Sequence, residues 1–194
     1  MNEELINEIK STLPWLIVAA IAVGGYYGVK NHLAAKKAAA SQALVSASAL
    51  PEAEEAVSAH GSSAAGGALK IRLAKRYFDD GRYDEALGIY DELVKSAPDG
   101  FADIPAVGRA QCLEAQGKFA EARDAFAAFA EANPTNYLTL TARLGVFRTT
   151  ALAGDAAKAL EGLAALKGEV GDDEVAKARV ESLEDVVRRL PKKE

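Results

Sequence analysis

Two stretches of this chain repeat each other at a fixed offset. Gly81 stands 36 residues before Gly117, and the same distance separates Tyr83 from Phe119, Ala86 from Ala122, Tyr90 from Phe126 and Pro98 from Pro134. Five matches at one constant offset make a repeat, and a repeat of this period restricts the fold to a stacked array. The first copy runs from Leu69 to Pro98. Ile71, Leu73, Ala74, Tyr77 and Phe78 recur at helical spacing, and after Asp79-Asp80-Gly81-Arg82 so do Tyr83, Ala86, Leu87, Tyr90, Leu93 and Val94. Gly81 suits the left-handed residue that closes one helix, and Asp84 and Glu85 put negative charge at the positive end of the next. Pro98 stops the second helix. Two short helices cannot bury their own apolar faces, so each pair must stack on a copy of itself.

These residues resemble the tetratricopeptide repeat, with its pattern W-x2-L-G-x2-Y, then A-x3-F, then P. Leu73, Ala74, Tyr77, Ala86, Tyr90 and Pro98 fall on it in the first copy, and Ala110, Leu113, Ala122, Phe126 and Pro134 in the second. Arg109 replaces the leucine, and Lys70 and Ala106 stand at the tryptophan site. A degenerate third copy runs from about Asn136 to Lys167; Gly154, Ala159 and Leu163 keep the spacing while Phe147 and Thr150 depart from it. The resemblance implies an all-α solenoid of about three helical hairpins. Small residues at Ala74, Ala86, Ala110 and Ala122 would let the helices approach closely. It also implies a concave face built from the first helix of each pair, lined by Ile71, Lys75, Phe78, Ile104, Val107, Gln111, Leu144 and Arg148. Such a groove suits an extended or helical apolar segment. Lysines and asparagines that would clamp a carboxylate tail are largely missing from it. Asp172-Asp173-Glu174 opens a last helix to about Leu190, whose stripe Ala176, Val180, Leu183, Val187 and Leu190 reads as an end cap or a short coiled coil.

Little in the chain points to chemistry. No strand pattern persists. The net charge of -5 and the lack of a basic, aromatic-interleaved patch argue against nucleic acid. The only histidines, His32 and His60, have no ligand-spaced neighbour, so no metal is expected. Cys112, the sole cysteine, sits between Ala110 and Leu113 on a repeat helix, the place of a small core residue rather than a nucleophile. No catalytic constellation, cofactor or small-molecule substrate is expected, and the chain does not read as an enzyme.

Before the repeats the chain changes character. Residues Ser11 to Val29 carry no charge, and 19 residues of helix span about 28 Å, close to the hydrocarbon thickness of a bilayer. A cleaved signal peptide would begin with basic residues, whereas Asn2 to Glu8 is acidic, so an uncleaved anchor in a lipid membrane fits better. Ala20, Gly24 and Gly28 lie four apart, a spacing that allows a second membrane helix to approach. Lys10 flanks one side of the span and Lys30, Lys36 and Lys37 the other, which by the positive-inside rule favours repeats in the cytoplasm. The layout expected is a polar tail over 1–10, a transmembrane helix over 11–30, juxtamembrane helices and a Gly/Ser hinge over 31–67, and the repeat domain with its cap over 68–194. In the third segment the alanine-rich run Asn31 to Ala49 continues the membrane helix, Pro51 starts a short helix to His60, and Gly61 to Gly67 is the hinge. That hinge lacks the lysine and hydroxyl of a phosphate loop.

This order of elements, with Leu69, Leu73, Ala74 and Ala86 fitting the repeat, resembles the ancillary SecYEG translocon subunit (YfgM-like) family. The resemblance implies a single-pass protein of the bacterial inner membrane, with its repeats in the periplasm, opposite to the flanking charges. It further implies the SecYEG translocon and periplasmic chaperones as protein partners. The function expected is a membrane-anchored protein–protein interaction module that binds apolar polypeptide segments. The alternative is a structural scaffold for another envelope or cytoplasmic membrane-associated assembly.

Overall fold

The computed structural model describes residues 24–43, 49–62, 65–96 and 102–191, and among these every regular element is helical. The helices are α1 (24–43), α2 (Leu50–His60), α3 (Gly66–Asp79), α4 (Tyr83–Ser96), α5 (Asp103–Ala115), α6 (Phe119–Ala132), α7 (Thr139–Leu152), α8 (Ala156–Glu169) and α9 (Glu174–Arg188). The pairs α3/α4, α5/α6 and α7/α8 are helical hairpins, and α9 follows them singly.

One turn closes all three hairpins. Gly81, Gly117 and Gly154 hold φ of 77°, 76° and 111°, a region that glycine enters without steric penalty. The residue after each glycine donates back to the carbonyl five positions earlier: Arg82 N–H to Tyr77 at 2.8 Å, Lys118 to Leu113 at 2.9 Å and Asp155 to Thr150 at 3.1 Å. Carbonyls left open at the helix end are thereby satisfied. Gly81 therefore takes the left-handed position expected of it, and Gly117 repeats it.

Packing is local in sequence: each hairpin stacks on the next, and first helices also touch first helices two along. Ala74, Ala86, Ala110 and Ala122 are fully buried where helices cross, as the repeat pattern requires. The ring of Tyr90 lies over Gly108, where an added Cβ would come within 2.6 Å of it, and the ring of Phe126 lies over Gly145 at 2.7 Å. Each aromatic ends one hairpin's core and each glycine gives the next hairpin room to close on it. In the third hairpin Phe147 departs from the pattern because its ring covers Gly162 of α8 instead. Thr150 departs because its hydroxyl donates to the Val146 carbonyl at 2.7 Å, which makes it tolerable at a buried site. Asp173 caps α9 by accepting from the backbone of Val175 and Ala176, and Ala176, Val180, Leu183 and Val187 seat α9 on the end of the stack.

The segment before the repeats differs from the expected layout. The helix that includes Asn31 does not run through Ala49. Ala49 is extended, and its N–H donates to the Glu52 carboxylate at 3.0 Å, which starts α2 afresh. Gly66 and Gly67 belong to α3 rather than to a hinge. A Cβ on Gly66 would lie 1.9 Å from the Gly61 carbonyl, so the turn between α2 and α3 is tight and needs glycine there. Ala53 and Ala56 of α2 pack against Leu69 and Leu73 of α3, and Tyr77 donates to Glu54 at 2.8 Å. The hydrophobic core thus continues across the expected boundary at residue 67.

Most of the expected span, 11–30, and its packing residue Ala20 lie outside the described residues. Gly24 and Gly28 fall on α1, with open space where a side chain would stand. Among the described residues no helix is long and apolar enough to cross a membrane.

Candidate partner-binding groove

The first helices α3, α5 and α7 bring their C-terminal halves together around a cleft of about 450 Å³. Lys75, Phe78, Gln111 and Arg148, four of the eight residues expected on the concave face, line it. Leu144, buried to 6% exposure, lines an adjoining trough between α7 and α9, into which Arg148 also reaches. Val107 is 4% exposed and packs with Ala110, Leu113 and Phe126, so it supports the groove from beneath. Val107 lies on the same stripe of α5 as Gln111 and Glu114, one and two turns before them, where Phe126 of α6 and Ala142 of α7 cover it. Ile71 is half-buried and Ile104 exposed, and neither lines the cleft.

Four contributors escape the concave-face pattern: Tyr90 from the second helix α4, and Glu114, Ala115 and Leu152. Glu114 had no signal in the repeat, since Arg148 follows it by 34 residues rather than by the 37 that separate Gly117 from Gly154. Arg148 meets that carboxylate with two nitrogens, Nη2 to Oε2 at 2.6 Å and Nε to Oε1. Its guanidinium also stands 6.0 Å from the centre of the Phe126 ring. Lys75 is paired with Asp79 one turn along α3. Phe78 rests its ring on the edge of Tyr83, 5.3 Å between centroids, and turns its remaining surface to the cleft. The cleft therefore presents Phe78 and Leu152 as apolar surface over the buried Tyr90, rimmed by charges that already neutralise one another.

Two buried groups beside the cleft, Tyr90 and Cys112, are held in their neutral forms. Burial pushes the Tyr90 hydroxyl up to about 12, with Cys112 and Asp79 adding smaller repulsions. Burial likewise raises the Cys112 thiol to about 12, and Asp91 adds to it. A thiolate is needed for nucleophilic attack or metal binding, so Cys112 serves as packing. Among the described residues no group of three or more His, Cys, Asp or Glu is placed to hold a metal ion.

Polar contacts also link each repeat to the next. Arg109 pairs with Asp91 at 2.6 Å, Gln116 donates to Asp84 at 2.8 Å and Asn136 to Asp103 at 2.6 Å. Arg109, which replaces a leucine of the pattern, is thus a link to the preceding hairpin.

Comparison with known families gives one finding. The profile of the tetratricopeptide repeat matches residues 34–101 and again 71–137, together more than half of the chain. The first match begins within α1, so residues 34–43 of α1 and all of α2 fall inside the matched region. Comparison with curated proteins and with solved structures yields no match.

Proposed function

Because the chain belongs to the tetratricopeptide repeat family, a family of protein-interaction scaffolds, we propose that the α3–α5–α7 cleft is a docking site for an apolar polypeptide segment. The observation that carries this reading is the pairing of the rim charges. Lys75 is engaged by Asp79, and Arg148 by both oxygens of Glu114. A carboxylate tail would have to break those pairs, whereas an apolar segment gains the uncovered surface of Phe78 and Leu152 and leaves the pairs intact. The charge-free run from Ser11 to Val29 supports anchoring of the module in a membrane. The order of elements supports an ancillary role at the bacterial secretion channel, with periplasmic chaperones as further partners and the repeats on the periplasmic side.

The test uses the full chain in membranes, with a photo-crosslinking residue at Phe78 or Leu152 and a control at exposed Glu161 on α8. Adducts with channel components or chaperones at the first two positions, and none at Glu161, are expected. Phe78→Ala should weaken capture at Leu152 by about 2 kcal/mol, a large aromatic in a desolvated centre being a typical anchor. Its melting temperature should stay close to wild type. Adducts of equal yield at Glu161 would refute the cleft, and capture of an unrelated membrane assembly would favour the scaffold reading. Protease protection of the repeats in intact cells, lost once the outer membrane is opened, checks the periplasmic side.

A further inference from the structure

We propose that the Tyr90 hydroxyl and the Gln111 side-chain amide bind the main chain of the segment in the cleft, and so select an extended apolar segment over a helical one. This rests on the reading of the cleft as a docking site. Tyr90 stands where the repeat pattern has phenylalanine, and Phe126, fully buried, fills the same place one repeat later. The hydroxyl is the difference between the two rings, and among the described residues it forms no hydrogen bond. Oε1 of Gln116 is the one polar side-chain atom there that is both sealed from solvent and unpaired. The Tyr90 oxygen is therefore not sealed, although the side chain is only 4% exposed, and the cleft is the opening that this side chain lines. Gly108 brings it there. An added Cβ would lie 2.6 Å from Cζ, the ring carbon that bears the hydroxyl, so the tip of the ring crosses α5 one turn before Gln111.

Gln111 is the second open polar group. Lys75, Glu114 and Arg148 around the cleft have partners, whereas half-buried Gln111 has none among the described residues. Its amide can donate and accept, and the Tyr90 hydroxyl, kept protonated by burial, donates. Phe78 and Leu152 call for apolar side chains on the occupant, and apolar side chains have nothing to offer a hydroxyl or an amide. The polar groups left to such a segment are its own carbonyls and N–H groups. A helix spends these on itself, apart from its end turns. An extended segment leaves them free along its length, as peptides do when they add to a strand edge. A helix in the cleft would strip Tyr90 and Gln111 of water and leave both unpaired.

The full chain in lipid nanodiscs tests this, with two synthetic peptide probes of equal length and leucine content, each kept soluble by a polyethylene glycol tail. One alternates leucine with valine and is extended; the other alternates leucine with α-aminoisobutyric acid and is helical. A photo-crosslinking residue at Leu152 reports where each probe sits. The extended probe should bind about tenfold more tightly than the helical one, and Tyr90→Phe and Gln111→Leu should each weaken it about five- to tenfold. Neither change should weaken the helical probe. Tyr90→Phe should melt at or above the wild-type temperature, because the hydroxyl has no partner within the chain; a lower one would make the hydroxyl structural and overturn the proposal. Unchanged affinity of the extended probe in both variants, or tighter binding of the helical probe, would overturn it and leave the cleft a docking site. Capture of neither probe at Leu152 would overturn the reading of the cleft itself, and this inference with it.

Discussion

Tyr90 and Phe126 owe their burial to residues that have no side chain. Each ring lies on the glycine that the next hairpin presents, Gly108 and Gly145, and a methyl group there would stand within 2.6 to 2.7 Å of ring carbons. Gly108→Ala should therefore lower stability by about 1–3 kcal/mol, the ordinary cost of overpacking. Gly88, mid-helix in α4 and with nothing near its missing Cβ, is the contrast: Gly88→Ala should raise stability by about 0.5–1 kcal/mol. Thermal melts of the two variants check both signs. Cys112 gives a second residue-scale expectation. Fully buried and raised to about 12, its thiol should react with a disulfide reagent at pH 8 far more slowly in the native protein than in denaturant. Because its ordinary value is 9.0, the unfolded chain gives up that proton first as pH rises, so stability should decline from about pH 9 toward 12. Comparable labelling rates in the two states would show the core to be open there. The aromatics were legible in the sequence as a 36-residue repeat. The glycines beneath them were not, because Arg72 stands at the matching position of the first copy, 36 before Gly108, and only the packing ties the glycines to the rings.

Elements are also joined by ion pairs on their outer faces, and these are where acid should act first. Arg143 holds the Glu169 carboxyl below the ordinary carboxylate value of 4.5 across α7 and α8, and Lys167 does the same to Glu181 across α8 and α9. A carboxylate with a depressed folded value contributes stability that is present above pH 4.5 and is lost as pH falls through the lowered value. Both pairs are solvent-exposed, so the contribution is modest. The melting temperature should hold down to about pH 4.5 and then fall, and Glu181→Gln should fall less steeply; parallel acid limbs would assign the loss elsewhere. Asp173→Ala should cost about 1 kcal/mol through the lost cap of α9, read as faster amide exchange in that helix. The cap of α9 and its inward stripe were both legible in the sequence. The groove was half legible. A shared repeat position predicts which helix a residue lies on, but not how far along it the cleft opens: Val107, Gln111 and Glu114 share one stripe of α5, and only the last two reach the cleft.

At the scale of the molecule, contacts join near neighbours only, so stability should behave as a sum of hairpins and the junctions between them. A chain cut after Val170 loses the helix that covers Leu163 and Leu166. Amide exchange in α7 and α8 should accelerate while α3 and α4 keep their protection; equal loss in both would mean a single cooperative unit. The all-helical array was legible from one period. The share of α2 in the core was not, because its apolar face is made of alanines, Ala53 and Ala56, which composition alone cannot tell from a linker. The same near-neighbour wiring has a mechanical meaning. Where strands of distant sequence lie side by side, a pulling force is shared across many bonds at once. Here the bonds lie one behind another along the line of pull, so load drawn through the two ends falls on each junction in turn. Stretched between two anchor points, such an array yields hairpin by hairpin at low force and rewinds when released, as a compliant spring rather than a rigid strut.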